Sequence, residues 1–186
     1  MKQINGPSWF LFLNGQSVIP FGKGTTSNHD CYFLYETCLK YKPKKILEIG
    51  TYIGKSSYAL ALGSTCDVYT VDENKDEFII HEGFENIVDR IHRHPNTNSM
   101  DFWNTNIKGF DLVFVDGWLK QKDVENLFDS TSDNFWFLCH DYYPDDKGEV
   151  VVHRMLKESM KRNYDYDLSK GGECTALIKF EKENTY

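Results

Sequence analysis

Two runs in this chain are apolar at almost every position: Phe110–Val115, broken only by Asp111, and Phe135–Cys139. A half-buried strand alternates apolar and polar residues; a strand covered on both faces does not. These runs therefore demand a sheet with helices on either side. The rest of the chain supplies the helices. Cys31, Phe33, Leu34, Tyr35, Cys38 and Leu39 recur at helical spacing after the caps of Gly22–Asn28, and Pro43 closes that helix. Lys45–Ile49 reads as a strand, Lys55–Leu62 as a helix, and Asp67–Val71 as a strand. A short helix over Glu77–Asn86 and a strand over Arg90–His94 follow. Beyond Phe110–Val115, the pattern predicts helices at Asp123–Asp129 and Val150–Lys161 around the Phe135–Cys139 strand. Tyr164–Leu168, Lys170-Gly-Gly172 and Thr175–Phe180 read as a terminal hairpin. Such alternation predicts an α/β domain whose mainly parallel sheet carries an antiparallel edge. At 186 residues, one domain with a proper core is the natural solution. Residues 1–25 form an extension, with a hairpin over 8–20 turning at Asn14-Gly15.

Composition narrows the function. The net charge of −7, with no cluster of Lys and Arg, argues against a nucleic-acid partner. Five cysteines without a CxxC pair point to neither a zinc site nor a disulfide framework. No apolar stretch is long enough for a membrane span or a secretory signal, so the expected compartment is the cytoplasm. Aromatic residues make up 15% of the chain, which suits an aromatic-lined pocket and a well-filled core equally.

In parallel sheets, ligands bind at the carboxyl ends of the strands, near the topological switch point. The densest motif lies at one such end: Ile46-Leu-Glu-Ile-Gly-Thr-Tyr-Ile-Gly-Lys-Ser-Ser57. Its glycines let backbone approach a ligand closely. Its E-x-G-x-x-x-G spacing differs from the pyrophosphate-cradling G-x-G-x-x-G, and Glu48 suits a cationic ammonium rather than a phosphate. Asp72 ends the next strand, where a carboxylate can accept both hydroxyls of a ribose. Phe110-Asp-Leu-Val-Phe-Val-Asp-Gly-Trp118 delivers Asp116 to a third strand end, and Phe135-Trp-Phe-Leu-Cys-His-Asp141 delivers His140 and Asp141 to a fourth.

Together these motifs, from about Thr26 to Val152, resemble the class I S-adenosylmethionine-dependent methyltransferases. Among these they look like the small-molecule O-methyltransferases of catechol O-methyltransferase type and their relatives with an F-[IV]-D-G motif, here Phe114-Val-Asp-Gly117. The resemblance implies a Rossmann-like, doubly wound, seven-stranded sheet over residues 26–186. It implies methyl transfer from S-adenosylmethionine to an oxygen of a small hydroxylated metabolite, sugar or phenol-like. It sets Glu48, Gly50, Thr51, Tyr52, Gly54 and Ser56 near the methionine moiety, Asp72 on the ribose, and Asn98 and Ser99 near the adenosine. Asp116, Gly117 and Trp118 continue the cofactor site, although Trp118 and the neighbouring Tyr142 and Tyr143 read equally well as packing aromatics.

A divalent metal in this family would fall to Asp116, His140 and Asp141. The carboxylates suit Mg²⁺, and the imidazole leans toward Mn²⁺, Fe²⁺ or Zn²⁺. The base stays open among His140, Lys120 and a metal-activated acceptor, because the His and Tyr that relatives carry after this motif are replaced by Leu119 and Gln121. That replacement keeps a non-catalytic cofactor-binding module as an alternative; a macromolecule methyltransferase ranks behind it. His92 and His94 share a face of one strand and read as structural, and Asp145-Asp-Lys-Gly148 as a solvated turn. The extension is short for a lid, so the acceptor pocket is either open or completed by a neighbouring subunit in a homo-oligomer.

Overall fold

The computed structural model describes residues 12–13, 16–17, 26–80 and 84–183. Two short strands, β1 (Phe12–Leu13) and β2 (Gln16–Ser17), pair antiparallel with Leu13 opposite Gln16. The other residues of the expected hairpin, its Asn14-Gly15 turn among them, lie outside the described residues.

Helix α1 (Asn28–Tyr41) starts at Ser27, whose hydroxyl accepts from the Asp30 amide, and stops at Lys42 in the left-handed region just before Pro43. Then come β3 (Lys45–Ile49), α2 (Lys55–Gly63), β4 (Asp67–Val71), α3 (Glu85–Val88), β5 (Ile91–His94) and α4 (Ser99–Trp103). They are followed by β6 (Phe110–Val115), α5 (Gln121–Ser130), β7 (Thr131–Cys139), α6 (Lys147–Lys161), β8 (Tyr164–Gly171) and β9 (Thr175–Lys182).

The main sheet has seven strands in the order β5-β4-β3-β6-β7-β9-β8. Strands β3 to β7 run parallel, while β9 pairs antiparallel with both β7 and β8. This is the expected sheet. Helices cover both faces. Leu47, Ile49, Val113, Val115, Phe135 and Phe137 point into a cluster with Val124, Leu127, Val151 and Met155 of α5 and α6. Ile46, Val68, Leu112, Phe114 and Leu138 face Leu34 of α1 and Tyr58 and Leu60 of α2. The two-residue alternation along β3 sends Ile46 to one layer and Leu47 to the other. Among the described residues no helix is long and apolar enough to cross a membrane.

Several elements depart from expectation, among them β7, which starts at Thr131 and not at Phe135. Residues 77–80 are irregular, and the helix in this stretch shrinks to the single turn of α3. Tertiary contacts override its helical pattern. Phe78 packs on Tyr58 and fills the space beside Gly54, where a Cβ would lie 2.2 Å from its ring, and the Ile79 amide donates to the Ile53 carbonyl. Helix α4 occupies what reads as loop, nucleated by an Asn98 cap on the Asp101 amide. Helix α6 begins at Lys147, before its apolar periodicity starts at Val150, because Asp146 caps it.

The chain winds outward from β3 to β5, then crosses back to lay β6 on the other side of β3. That crossover opens a cleft above the carboxyl ends of β3 and β6.

Candidate active site

Two loops meet at the crossover. The one after β3 turns at Gly50, whose φ of +103° favours glycine. A Cβ there would also sit 2.8 Å from the Asp116 carbonyl oxygen, so only glycine lets the β3 and β6 loops approach this closely. The Asp116 amide donates to the Ile49 carbonyl, and the His140 amide to that of Val115, which carries the ladder past the strand ends. The loop continues through Thr51 and Tyr52 to Gly54, the N-cap of α2 at φ +86°.

Asp72 ties this loop to β4. Its Oδ2 accepts from the Thr51 amide (2.9 Å) and the Tyr52 amide (2.8 Å). Its Oδ1 accepts from the Asn74 amide (2.8 Å) and side chain (3.0 Å). Glu48 and Asp72 thus lie at the same end of adjacent strands, but they face different surroundings. Glu48 points into the α2 layer, fully buried, with Oε2 held by Ser57 and Thr70. Burial pushes its carboxyl up to about 7 against the hydrogen bonds from Ser56, Ser57 and Thr70. Strand alternation turns Glu48 away from the cleft, so the direct contact to a ligand ammonium implied by sequence is not open to its carboxylate. Its place is beneath the glycine loop, together with the buried Ser56.

The cleft has a volume of about 860 Å³ and is walled by Gly50, Tyr52, Asp72, Asn98, Ser99, Asp116, Gly117, Trp118, Lys120 and Lys147. About half of its lining residues are ones that the sequence singles out, though Asn98 and Ser99 also serve α4 and α5. Asn98 caps α4, and the Ser99 hydroxyl donates to Asp123 (2.7 Å). Trp118 is 62% exposed at the rim, which excludes a role as a packing aromatic. Lys120 is exposed at the start of α5. Leu119 is fully buried, and Gln121 donates to Glu158 of α6 (3.1 Å). Tyr143 is exposed and Tyr142 packs partly buried against the core. His92 and His94 stack on Tyr69, away from this wall, and serve structure.

Asp116, His140 and Asp141 do converge. His140 Nδ1 lies 3.1 Å from Asp116 Oδ1 and 3.2 Å from Asp141 Oδ1. Its Nε2 faces Cys174 Sγ at 3.3 Å and Asp30 Oδ2 at 3.6 Å. Burial opposes protonation of this imidazole, but hydrogen bonds to Asp116 and Asp30, with the charges of Asp116 and Asp141, push it up to about 10. Both of its nitrogens are already engaged, Nδ1 by Asp116 and Asp141 and Nε2 by Asp30 and Cys174, and in the protonated ring neither offers a lone pair to a substrate proton.

Sequence reading missed Cys174 here and also two charged members of this cluster. Asp30, fully buried in the first turn of α1, accepts from Thr175 Oγ1 (2.7 Å) and the amides of Glu173 and Cys174. Burial raises its pKa, yet bonds from His140, Ser27 and Thr175 hold it far below the usual carboxylate range. Locally it reads only as part of the Ser27 helix cap, because the Glu173, Cys174 and Thr175 groups that draw it into the cluster lie about 140 residues away along the chain. The other is Lys147, in a stretch whose sequence reads as a solvated turn. Its Nζ lies 2.9 Å from Asp116 Oδ1 and 2.9 Å from Asp141 Oδ2. The Asp146 cap was the available signal: a helix starting there turns Lys147 toward the strand ends. A divalent ion held by these carboxylates, at about 2 Å from each oxygen, would need the volume that this ammonium takes. The donor set therefore does not fit a metal as it stands.

No protein-family model matches the sequence, and no curated protein is similar to it in sequence. Solved structures are similar in fold. The S-adenosylhomocysteine-bound methyltransferase PaMTH1 of Podospora anserina superposes with a TM-score of 0.65 at 20% identity, over 87% of this chain and 81% of that one. The O-methyltransferase TomG of Streptomyces achromogenes, solved with S-adenosylmethionine, gives 0.65 at 18% identity over 86% and 82%. An O-methyltransferase of Bacillus cereus, in complex with S-adenosylhomocysteine, gives 0.66 at 19% over 87% and 84%. This chain has the fold of the class I S-adenosylmethionine-dependent O-methyltransferases.

Proposed function

We propose that the chain transfers the methyl group of S-adenosylmethionine to an oxygen of a small hydroxylated molecule, sugar or phenol-like. One observation carries this reading: a glycine loop, a strand-end carboxylate (Asp72) and a second strand-end carboxylate (Asp116) line one cleft at the crossover of the sheet. Similar folds hold S-adenosylmethionine or its product. In this reading the methionine end lies over Gly50 and the first turn of α2. Asp72 receives the ribose hydroxyls by releasing the Asn74 side chain, and Asn98 and Ser99 border the adenosine. The cleft wall holds Asp72, Glu73, Asp101, Asp116 and Asp123 against Lys120 and Lys147. That balance suits a neutral small molecule and repels a phosphate backbone.

The donor is already activated, so the chain's task is alignment and disposal of one proton. The acceptor oxygen forms the new O–C bond as the C–S bond breaks, and the electron pair stays on sulfur. Asp116 Oδ2, which accepts from the Thr26 hydroxyl at 3.3 Å, is placed to orient the acceptor hydroxyl. Attack by a neutral hydroxyl leaves a protonated ether, a strong acid, so even an ion-paired carboxylate takes its proton. Lys147 beside Asp116 keeps that carboxylate ionised and able to accept. No step passes through a divalent ion, because Lys147 and His140 occupy its ligands.

The test is S-adenosylhomocysteine release from S-adenosylmethionine across a panel of phenols and sugars. Turnover that Asp116→Asn abolishes supports the reading. Cofactor binding with no turnover across the panel would reduce the chain to a binding module.

A further inference from the structure

We infer that Lys147 is a built-in cation for the Asp116–Asp141 carboxylate pair, and that this site consequently takes no divalent ion. The inference deepens the proposed methyl transfer and rests on that reading only for the role of the acceptor. Two carboxylates brought this close repel each other unless a cation lies between them. In this chain the cation is covalent. An ammonium has three donors, and Lys147 has three oxygens within reach: Asp116 Oδ1 at 2.9 Å, Asp141 Oδ2 at 2.9 Å and the Asp116 carbonyl at 3.3 Å. The remaining oxygen of Asp141 faces His140 Nδ1 at 3.2 Å, so each carboxylate is engaged by both cationic side chains.

The backbone keeps the lysine there. Lys147 is the first residue of α6, behind the Asp146 cap. Gly148 follows, and a Cβ on it would lie 2.4 Å from the His140 carbonyl oxygen and 2.5 Å from that of Asp141. The helix start is thus pressed directly onto the strand end that carries His140 and Asp141. Any larger residue at 148 would lift α6 and draw the ammonium away from the pair. A divalent ion entering here would have to displace a bonded like charge held by a packed helix.

The experiment titrates Mn²⁺ alone into the full chain, with bound ion followed by its paramagnetic resonance signal. The wild type is expected to show no saturable site up to roughly 1 mM, the weak end of cation affinity for carboxylate sites. Lys147→Ala is expected to gain one site, at least ~10-fold tighter than any wild-type binding, which a second change, Asp116→Asn, removes. A saturable wild-type site that Asp116→Asn abolishes would overturn the inference, even if Lys147→Ala did not fold. So would a Lys147→Ala protein that melts like the wild type and still binds no Mn²⁺. Because neither donor nor acceptor is present, the outcome stands whether or not the chain binds S-adenosylmethionine, which a separate titration with S-adenosylhomocysteine decides.

Discussion

Replacing Glu48 by glutamine should change how the stability of this protein depends on pH. In the fold the carboxyl is fully buried, Oε2 accepts from Ser57 and Thr70, and Oε1 has no partner among the described residues. Burial raises its pKa from 4.5 to about 7. An acid whose pKa is raised on folding favours the native state while protonated. Its contribution is full below 4.5 and is lost as pH rises through about 7. At about 1.4 kcal/mol per unit, the loss across that window comes to about 3 kcal/mol. Glutamine reproduces the neutral acid, keeps the acceptor for Ser57 and Thr70, and does not titrate. The assay is urea unfolding of both proteins at several pH values from 4.5 to 8, scored as the difference between them so that other titrating groups cancel. The variant should gain on the wild type with rising pH and be the more stable protein at pH 8. A difference that stays flat with pH, or a variant weaker than the wild type at pH 8, would refute the burial argument.

Other outcomes follow from the same geometry. Gly50→Ala combines a positive φ with a Cβ 2.8 Å from the Asp116 carbonyl, and should cost about 2–4 kcal/mol in unfolding experiments. Asp72→Asn removes the charge that receives the Thr51 and Tyr52 amides. It should weaken S-adenosylhomocysteine binding by about 1–3 kcal/mol in calorimetry, more than any loss of melting temperature explains. His140 should titrate near 10 by proton NMR, so its contribution to stability is present below 6.5 and fades as pH climbs through about 10. An imidazole signal that titrates near neutrality would remove the argument against His140 as base.

Legibility followed burial. Strands β3, β4 and β6 matched their sequence bounds because covered strands concentrate apolar residues with sharp polar ends. The segment around Phe78 was lost because its apolar residues fit a helix but are pinned to Gly54 and Tyr58 by tertiary contact. Cleft-wall residues were readable because they follow strand ends at fixed offsets, whereas the inward turn of Glu48 depended on which face of β3 it occupied. Lys147 and Asp30 escape the sequence pattern for one reason. Each acts on groups delivered by other elements, and a charge near a turn looks solvated until the sheet edge that receives it is known.

The central claim is that the crossover cleft holds an adenosyl ligand, and equilibrium titration of S-adenosylhomocysteine into the full chain tests it most directly. One site per chain with affinity in the micromolar range, on the order of −8 kcal/mol, is the predicted result, abolished by Gly50→Val. No heat of binding at any temperature tried, or binding indifferent to Gly50→Val, would contradict it.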